Sequence, residues 1–144
     1  MRKAILYLLV CFLLVGFICV QGPEQVFAGS INWVKDMPEA LKSAKAQNKP
    51  LLIDFYTDWC GWCKRLDKDT YSNAKVVKFA ENFVCVKINA EEKPEIARTY
   101  KVQGFPTTVF LKPNGSLIQN TPGYMGPDKY LELMQKVVSS LQKK

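Results

Sequence analysis

The segment Leu51-Leu52-Ile53-Asp54-Phe55-Tyr56-Thr57-Asp58-Trp59-Cys60-Gly61-Trp62-Cys63-Lys64 joins an apolar run to a pair of cysteines three residues apart. Leu51 to Tyr56 is rich in strand formers and bounded by Pro50 and Thr57-Asp58, which predicts a strand buried on both faces. Lys64 to about Lys68 reads as charged helix. The Cys-x-x-Cys therefore sits where a strand hands over to a helix. A helix N-terminus offers unpaired backbone N–H groups and the positive end of the helix dipole, and both favour a thiolate. Cys60 receives most of this effect and is the expected nucleophile. Cys63 follows one turn on, within the ~4.4–6.8 Å Cα separation that a disulfide requires. It is the expected resolving thiol. Lys64 and Arg65 add positive charge beside the pair.

The flanking segments alternate in the same manner. Ile31 to Val34 reads as a short strand or lead-in. Met37 to Gln47 reads as a helix, with Pro38 in its first turn and Ala40, Leu41 and Ala44 on one face. After the cysteines, Ser72-Asn73 marks a break or bend in a helical pattern that continues to Asn82. Phe83 to Asn89 predicts a second buried strand, Glu91 to Tyr100 a short helix, and Thr107 to Leu111 a third strand. Pro113-Asn114-Gly115 is a hairpin signal, with Ser116 to Asn120 as the returning strand. Asp128 to Leu141 closes the chain as an amphipathic helix, with Tyr130, Leu131, Met134, Val137, Val138 and Leu141 facing inward. The order β-α-β-α-β-α-β-β-α implies an α/β fold, a central mixed sheet flanked by helices on both faces.

Two other meanings of Cys-x-x-Cys can be weighed on the residues. A zinc site needs two further ligands, but the chain has no histidine and five cysteines in all, of which Cys11 and Cys19 lie near the N-terminus. No metal is expected. A purely structural disulfide across three residues would close little chain entropy. Cys85, inside Phe83-Val84-Cys85-Val86, reads as a small core hydrophobe.

The 144 residues suit one domain plus a leader. Arg2 and Lys3 precede an uncharged apolar run, Ala4 to Val20, and Val26-Phe27-Ala28 ends in a small residue. This is the pattern of a secretory signal peptide, residues 1–28, ahead of a domain of residues 29–144. An uncleaved anchor is the alternative, because the run approaches the ~17–25 residues that span a bilayer. Lipid modification at Cys19 fits poorly, since bulky Ile18 precedes it. Every version exports the domain to a periplasmic or other extracytoplasmic compartment. A close cysteine pair plus one lone cysteine in an oxidising compartment points to redox chemistry. The net charge of +7 comes from scattered lysines. No clustered basic stripe calls for nucleic acid.

The segment Asp54 to Lys64 resembles the active-site segment of the thioredoxin superfamily, and Gly104-Phe105-Pro106-Thr107 resembles its cis-proline loop. Lys87-Ile88-Asn89 falls where that family carries its strand lysine. The likeness runs from about Met37 to the C-terminus. Asp69 to Val76 resembles the C-terminal domain of the exported thiol:disulfide interchange protein DsbD and similar small exported thioredoxins. Trp62 departs from the Gly-Pro usual in thioredoxin itself.

The resemblance implies the thioredoxin fold and a thiol–disulfide oxidoreductase, with protein-disulfide reduction as its direction. It implies that Asp54 is a buried acid beneath Cys63 and that Lys87 tunes it. It implies that Pro106 is cis and that Phe105 presents backbone to a substrate. Trp59, Gly61 and Trp62 would form the substrate-facing rim. No cofactor beyond the Cys60–Cys63 disulfide is implied. The expected partners are protein thiols and disulfides and a membrane electron donor of the DsbD or CcdA type, and the chain is expected to be a monomer. A disulfide oxidase or isomerase, and a redox-inert binding module on the same fold, are the alternative readings.

Overall fold

The computed structural model describes residues 29–142, so the expected signal peptide of residues 1–28 lies outside the described residues. The elements are β1 (Trp33–Val34), α1 (Met37–Gln47), β2 (Leu51–Tyr56), α2 (Gly61–Asp69), α3 (Ala74–Ala80), β3 (Val84–Asn89), α4 (Pro94–Thr99), β4 (Thr107–Leu111), β5 (Leu117–Pro122) and α5 (Pro127–Gln142). They build one five-stranded sheet in the order β1-β3-β2-β4-β5. β1, β3 and β2 run parallel, while β4 and β5 add antiparallel. β2 lies in the middle, paired on both edges, so its backbone groups are satisfied by neighbours. That is why an almost unbroken apolar run is stable there.

Alternation along the strands sorts side chains onto two faces. Leu51, Ile53 and Phe55 meet Val84, Val86 and Ile88 on the face covered by α1 and α4, where Ala40, Ala44 and Ala97 allow close approach. Leu52, Cys85 and Phe110 lie on the opposite face, under Leu66 of α2, Val76 and Val77 of α3, and Tyr130, Met134 and Val137 of α5. By the same alternation Asp54 and Lys87 point to this second face, beneath α2.

α1 begins at Asp36, whose side chain accepts the Glu39 N–H at 3.0 Å, and ends at Asn48 in the left-handed conformation (φ 52°). Both are ordinary capping chemistry. The structure decides one expectation and corrects another. Of the break or bend expected at Ser72-Asn73, it is a break: the Asn73 side chain accepts from the N–H groups of Lys75 and Val76 and caps α3 as a new start. The returning strand runs from Leu117 to Pro122 rather than ending at Asn120. Its extra length carries the pairing on to Thr107↔Pro122, and a proline is tolerated because β5 is a sheet edge. The hairpin turn itself uses Gly115 at φ 86°, a conformation that suits glycine.

Candidate active site

Cys60 is the N-cap of α2, and Cys63 is the third residue of that helix. The two form a disulfide with a Cα–Cα separation of 5.3 Å. The Thr57 carbonyl accepts the Cys60 N–H at 3.2 Å, which turns the chain sharply out of β2. The Cys63 N–H donates to Cys60 Sγ at 3.0 Å. One orphan donor of the helix terminus thus points at the first sulfur and will stabilise negative charge there once the disulfide opens.

Beneath the helix, Asp54 is 1% exposed. It lies in register between Lys87 of β3 and Thr108 of β4. Burial raises its pKa from 3.8 to about 6, against the pull of the Lys87 ammonium and with a further push from the Asp67 charge. Lys87 Nζ is shared. It stands 3.6 Å from Asp54 Oδ2 and 2.5 Å from Asp67 Oδ1. Three rings surround the ammonium, with centroids at 5.0 Å (Tyr56), 5.5 Å (Trp33) and 5.7 Å (Tyr71). A cation caged by aromatic faces needs less solvation by water. Asp54 therefore competes with Asp67 for one lysine and keeps a carboxyl that changes charge close to neutral pH.

A second loop reaches the same end of the sheet. The Phe105–Pro106 bond is cis, as the resemblance implies, and Phe55↔Thr107 pairing sets this loop beside the end of β2. The Gly123 N–H donates to the Pro106 carbonyl at 2.8 Å, with Gly123 at φ 92°. Phe105 meets Trp59 edge-on at 6.3 Å.

The two tryptophans are the large exposed aromatics of the described residues, Trp59 at 69% and Trp62 at 55%. Each is held. Trp59 donates its indole N–H to Glu91 Oε1 at 2.8 Å. Trp62 packs on Tyr124 at 5.5 Å. Gly61, between them, has open space where a Cβ would stand, so the fold itself does not demand glycine there. Lys64 is exposed on α2 and, among the described residues, enters no ion pair. Cys85 lies in the core, where burial pushes its thiol up to about 12. No group of three or more His, Cys, Asp or Glu among the described residues is arranged to hold a metal ion.

Sequence reasoning missed Asp67 and Tyr124, and gave Arg65 no role beyond positive charge beside the pair. Asp67 had a usable signal, since it stands four residues after Cys63 on the same helical face. Tyr124 had none, because its partners Trp62 and Asp69 both belong to α2, 62 and 55 residues before it in the chain, and meet it only through folding.

Known proteins agree with this geometry. A sequence family described as a thioredoxin-like domain matches residues 37–138. Thioredoxin-1 of Drosophila melanogaster is 31% identical over 113 residues, covering 77% of this chain and 98% of that protein. The thiol:disulfide interchange protein DsbD of Vibrio vulnificus is 30% identical over 110 residues, 72% of this chain, and the chain spans only 18% of the length of that relative. Among solved structures, a thioredoxin from Thermus thermophilus superposes with a TM-score of 0.69 at 28% identity, covering 76% of this chain and 88% of that one. A structure titled DsbH Oxidoreductase gives 0.70 at 24% identity, covering 92% and 99%, which speaks for the fold alone. With the mixed five-stranded sheet, the cis proline and the Cys60–Cys63 disulfide in place, the chain belongs to the thioredoxin-like domain family.

Proposed function

We propose that this protein reduces disulfides of other proteins outside the cytoplasm by cycling Cys60 and Cys63 between dithiol and disulfide. The observation that carries this reading is the disulfide at the N-cap of α2, with a helix N–H aimed at Cys60 Sγ.

The cycle follows from the placement of groups. The Cys60 thiolate attacks one sulfur of a substrate disulfide, and the other substrate sulfur leaves as a thiolate. Cys63 then loses its proton and attacks Cys60 Sγ. The intramolecular disulfide re-forms and the second substrate sulfur departs, so the substrate gains two electrons and the protein loses two. Asp54 is the acceptor for the Cys63 proton. It lies on the face of β2 that α2 covers, and a carboxyl with a pKa of about 6 can take and return a proton near neutral pH. Burial sets that value, with Lys87 pulling it down and Asp67 pushing it up. Trp59, Phe105 and Trp62 form an apolar rim, and the backbone of Phe105 pairs with an extended substrate segment.

No cofactor beyond the cysteine pair takes part. The chain works as a monomer, and a membrane carrier of the DsbD or CcdA type regenerates its dithiol. The likeness to a thiol:disulfide interchange protein, over 72% of the chain, supports disulfide exchange, and the leader-like composition of residues 1–28 supports its place outside the cytoplasm. Among the described residues no helix is long and apolar enough to cross a membrane.

Reduction of insulin disulfides by dithiothreitol, followed by turbidity, tests the exchange activity. Acceleration is expected from the wild type and none from Cys60→Ser. Equal turbidity with both would leave the fold without its chemistry. The reduction potential of the pair in glutathione buffers tests the direction: a value near −270 mV or below, the range of thioredoxin, supports a reductase, and one near about −120 mV would make it an oxidase.

A further inference from the structure

Arg65 stands one turn beyond Trp62 on α2. Its Cζ lies 5.4 Å from the Trp62 ring centroid and 5.3 Å from that of Tyr124. Its Nε donates to Asp69 Oδ2 at 3.1 Å. The Tyr124 hydroxyl donates to the same Asp69 oxygen at 3.2 Å. The guanidinium is thus fixed by two rings and one carboxylate, yet its side chain is 57% exposed. Only Nε is committed to Asp69. A guanidinium carries five N–H donors in a planar fork that matches a carboxylate. Holding that fork rigid in advance lowers the entropy lost when a partner binds.

The setting is asymmetric about the disulfide. On the Arg65 side stand Trp62 and Tyr124, with Asp69 holding the guanidinium Nε. On the Trp59 side stand Glu91, which holds the indole, and Asp58, which accepts from the Asn89 amide at 3.4 Å. The uncommitted N–H donors of Arg65 favour an acidic residue of a bound segment on the first side, and the carboxylates of Glu91 and Asp58 repel one on the second. Arg65 is five residues past Cys60, a rise of about 7.5 Å along the helix. Its side chain leans back toward Trp62, so its head lies nearer the disulfide than its backbone does. An extended chain advances about 3.3 Å per residue, which places the matching side chain about two to three residues from the attacked cysteine.

The geometry points to a recognition site for acidic protein segments: a partner's Asp or Glu, two to three residues from its reactive cysteine, bonds to the free edge of Arg65 while neighbouring atoms pack on Trp62. This rests on the disulfide-exchange reading and names the substrate class for it. Arg65 is here a specificity residue, with Trp62, Tyr124 and Asp69 holding it in place.

The test uses peptides whose single cysteine is joined to 2-thiopyridine. Reduced Cys60 attacks the peptide sulfur, thiopyridone leaves and is read by absorbance, and Cys63 then frees the peptide thiol. Glu and Lys are compared three residues before and three residues after the cysteine. At one of these positions the Glu peptide is expected to react about tenfold faster than the Lys peptide, the scale of one charge-assisted hydrogen bond. The ratio should fall toward one in Arg65→Gln. Because each ratio is taken within one protein, changes in Cys60 reactivity cancel. If Arg65→Gln does not fold, salt serves instead: the wild-type ratio should fall as added NaCl shortens the Debye length from about 30 Å to about 3 Å. Equal rates with both peptides, the same preference at both positions, or a preference that survives both Arg65→Gln and high salt would overturn the proposal while leaving exchange intact. No thiopyridone release from any peptide would overturn the exchange reading and this proposal with it.

Discussion

Cys63 and Cys85 are buried alike, at 4% and 3% exposure; Cys63 lies on α2 itself, and Cys85 faces the layer formed by α2, α3 and α5. Their surroundings differ in every other respect. Cys63 lies in the first turn of a helix, bonded to the N-cap cysteine, in the layer that also holds Asp54 and Lys87. Cys85 lies in mid-sheet among Phe83, Phe110 and Leu52, and its thiol reaches only the Ala80 carbonyl at 3.9 Å. Burial by itself penalises a thiolate. What separates a working cysteine from a structural one here is the local supply of N–H groups, dipole and charge, set by where a strand ends and a helix begins.

The largest effect expected from this contrast is kinetic. In the reduced protein at pH 7, iodoacetamide should label Cys60 at least about 10³-fold faster than Cys85. A thiol pushed up to about 12 holds only about one thiolate in 10⁵ at that pH, whereas an unperturbed one holds a few per cent. Timed quenching and peptide mass mapping read the two rates. Labelling of Cys85 within tenfold of Cys60 would show that its strand opens readily and that the contrast is not one of thiolate supply.

Asp54 gives the next effect. Its pKa is 3.8 when unfolded and about 6 when folded, so the folded state binds more protons between those values. The stabilising contribution is complete below pH 3.8 and is lost as pH rises through about 6. Asp54→Asn removes that loss. Relative to the wild type, the variant should therefore gain about 3 kcal/mol between pH 3 and pH 8, seen in urea unfolding of the disulfide form. The same variant should slow the second chemical step, so that a Cys60 mixed disulfide accumulates with substrate. Asp67→Asn should move the wild type part of the way in the same sense. It removes a repelling charge and frees Lys87 for Asp54. A pH dependence unchanged in Asp54→Asn would mean that another group titrates beneath α2.

Which of these features can be read from the chain depends on how local they are. The β2 run, the Pro38 helix start, the Asn114-Gly115 turn and the cysteine pair carry their signal within a few residues, and each stands in the structure where its pattern puts it. The cis state of Pro106 and the burial of Asp54 follow from the family likeness of short motifs. The sharing of Lys87 between Asp54 and Asp67 has no such signature, since it joins β3, β2 and α2 through side-chain geometry alone. The Arg65 stack is similar, because Tyr124 arrives from the loop before α5. At Asn73 the sequence leaves a break and a bend both open, because the apolar pattern continues across it; the side-chain cap, like that of Asp36, makes it a helix start.

The smallest effect belongs to Cys85→Ala. The change deletes one buried sulfur from the cluster that holds Phe83 and Phe110. Cys85 also lies at the floor of an open surface pocket of about 330 Å³ shared with Ile31, Val77 and Phe83. A loss of about 1 kcal/mol is expected, at the low end of large-to-small core changes. That corresponds to a fall of about 4 °C in Tm for a domain of this size. Insulin reduction should stay within twofold of the wild type, because Cys85 lies near the start of β3 and contributes no group to the disulfide, to Asp54 or to the aromatic rim. A variant that kept its Tm but lost its activity would reverse that assignment. Cys85 would then be a third redox thiol, and the division between supplied and unsupplied cysteines would fail at the residue chosen to define it.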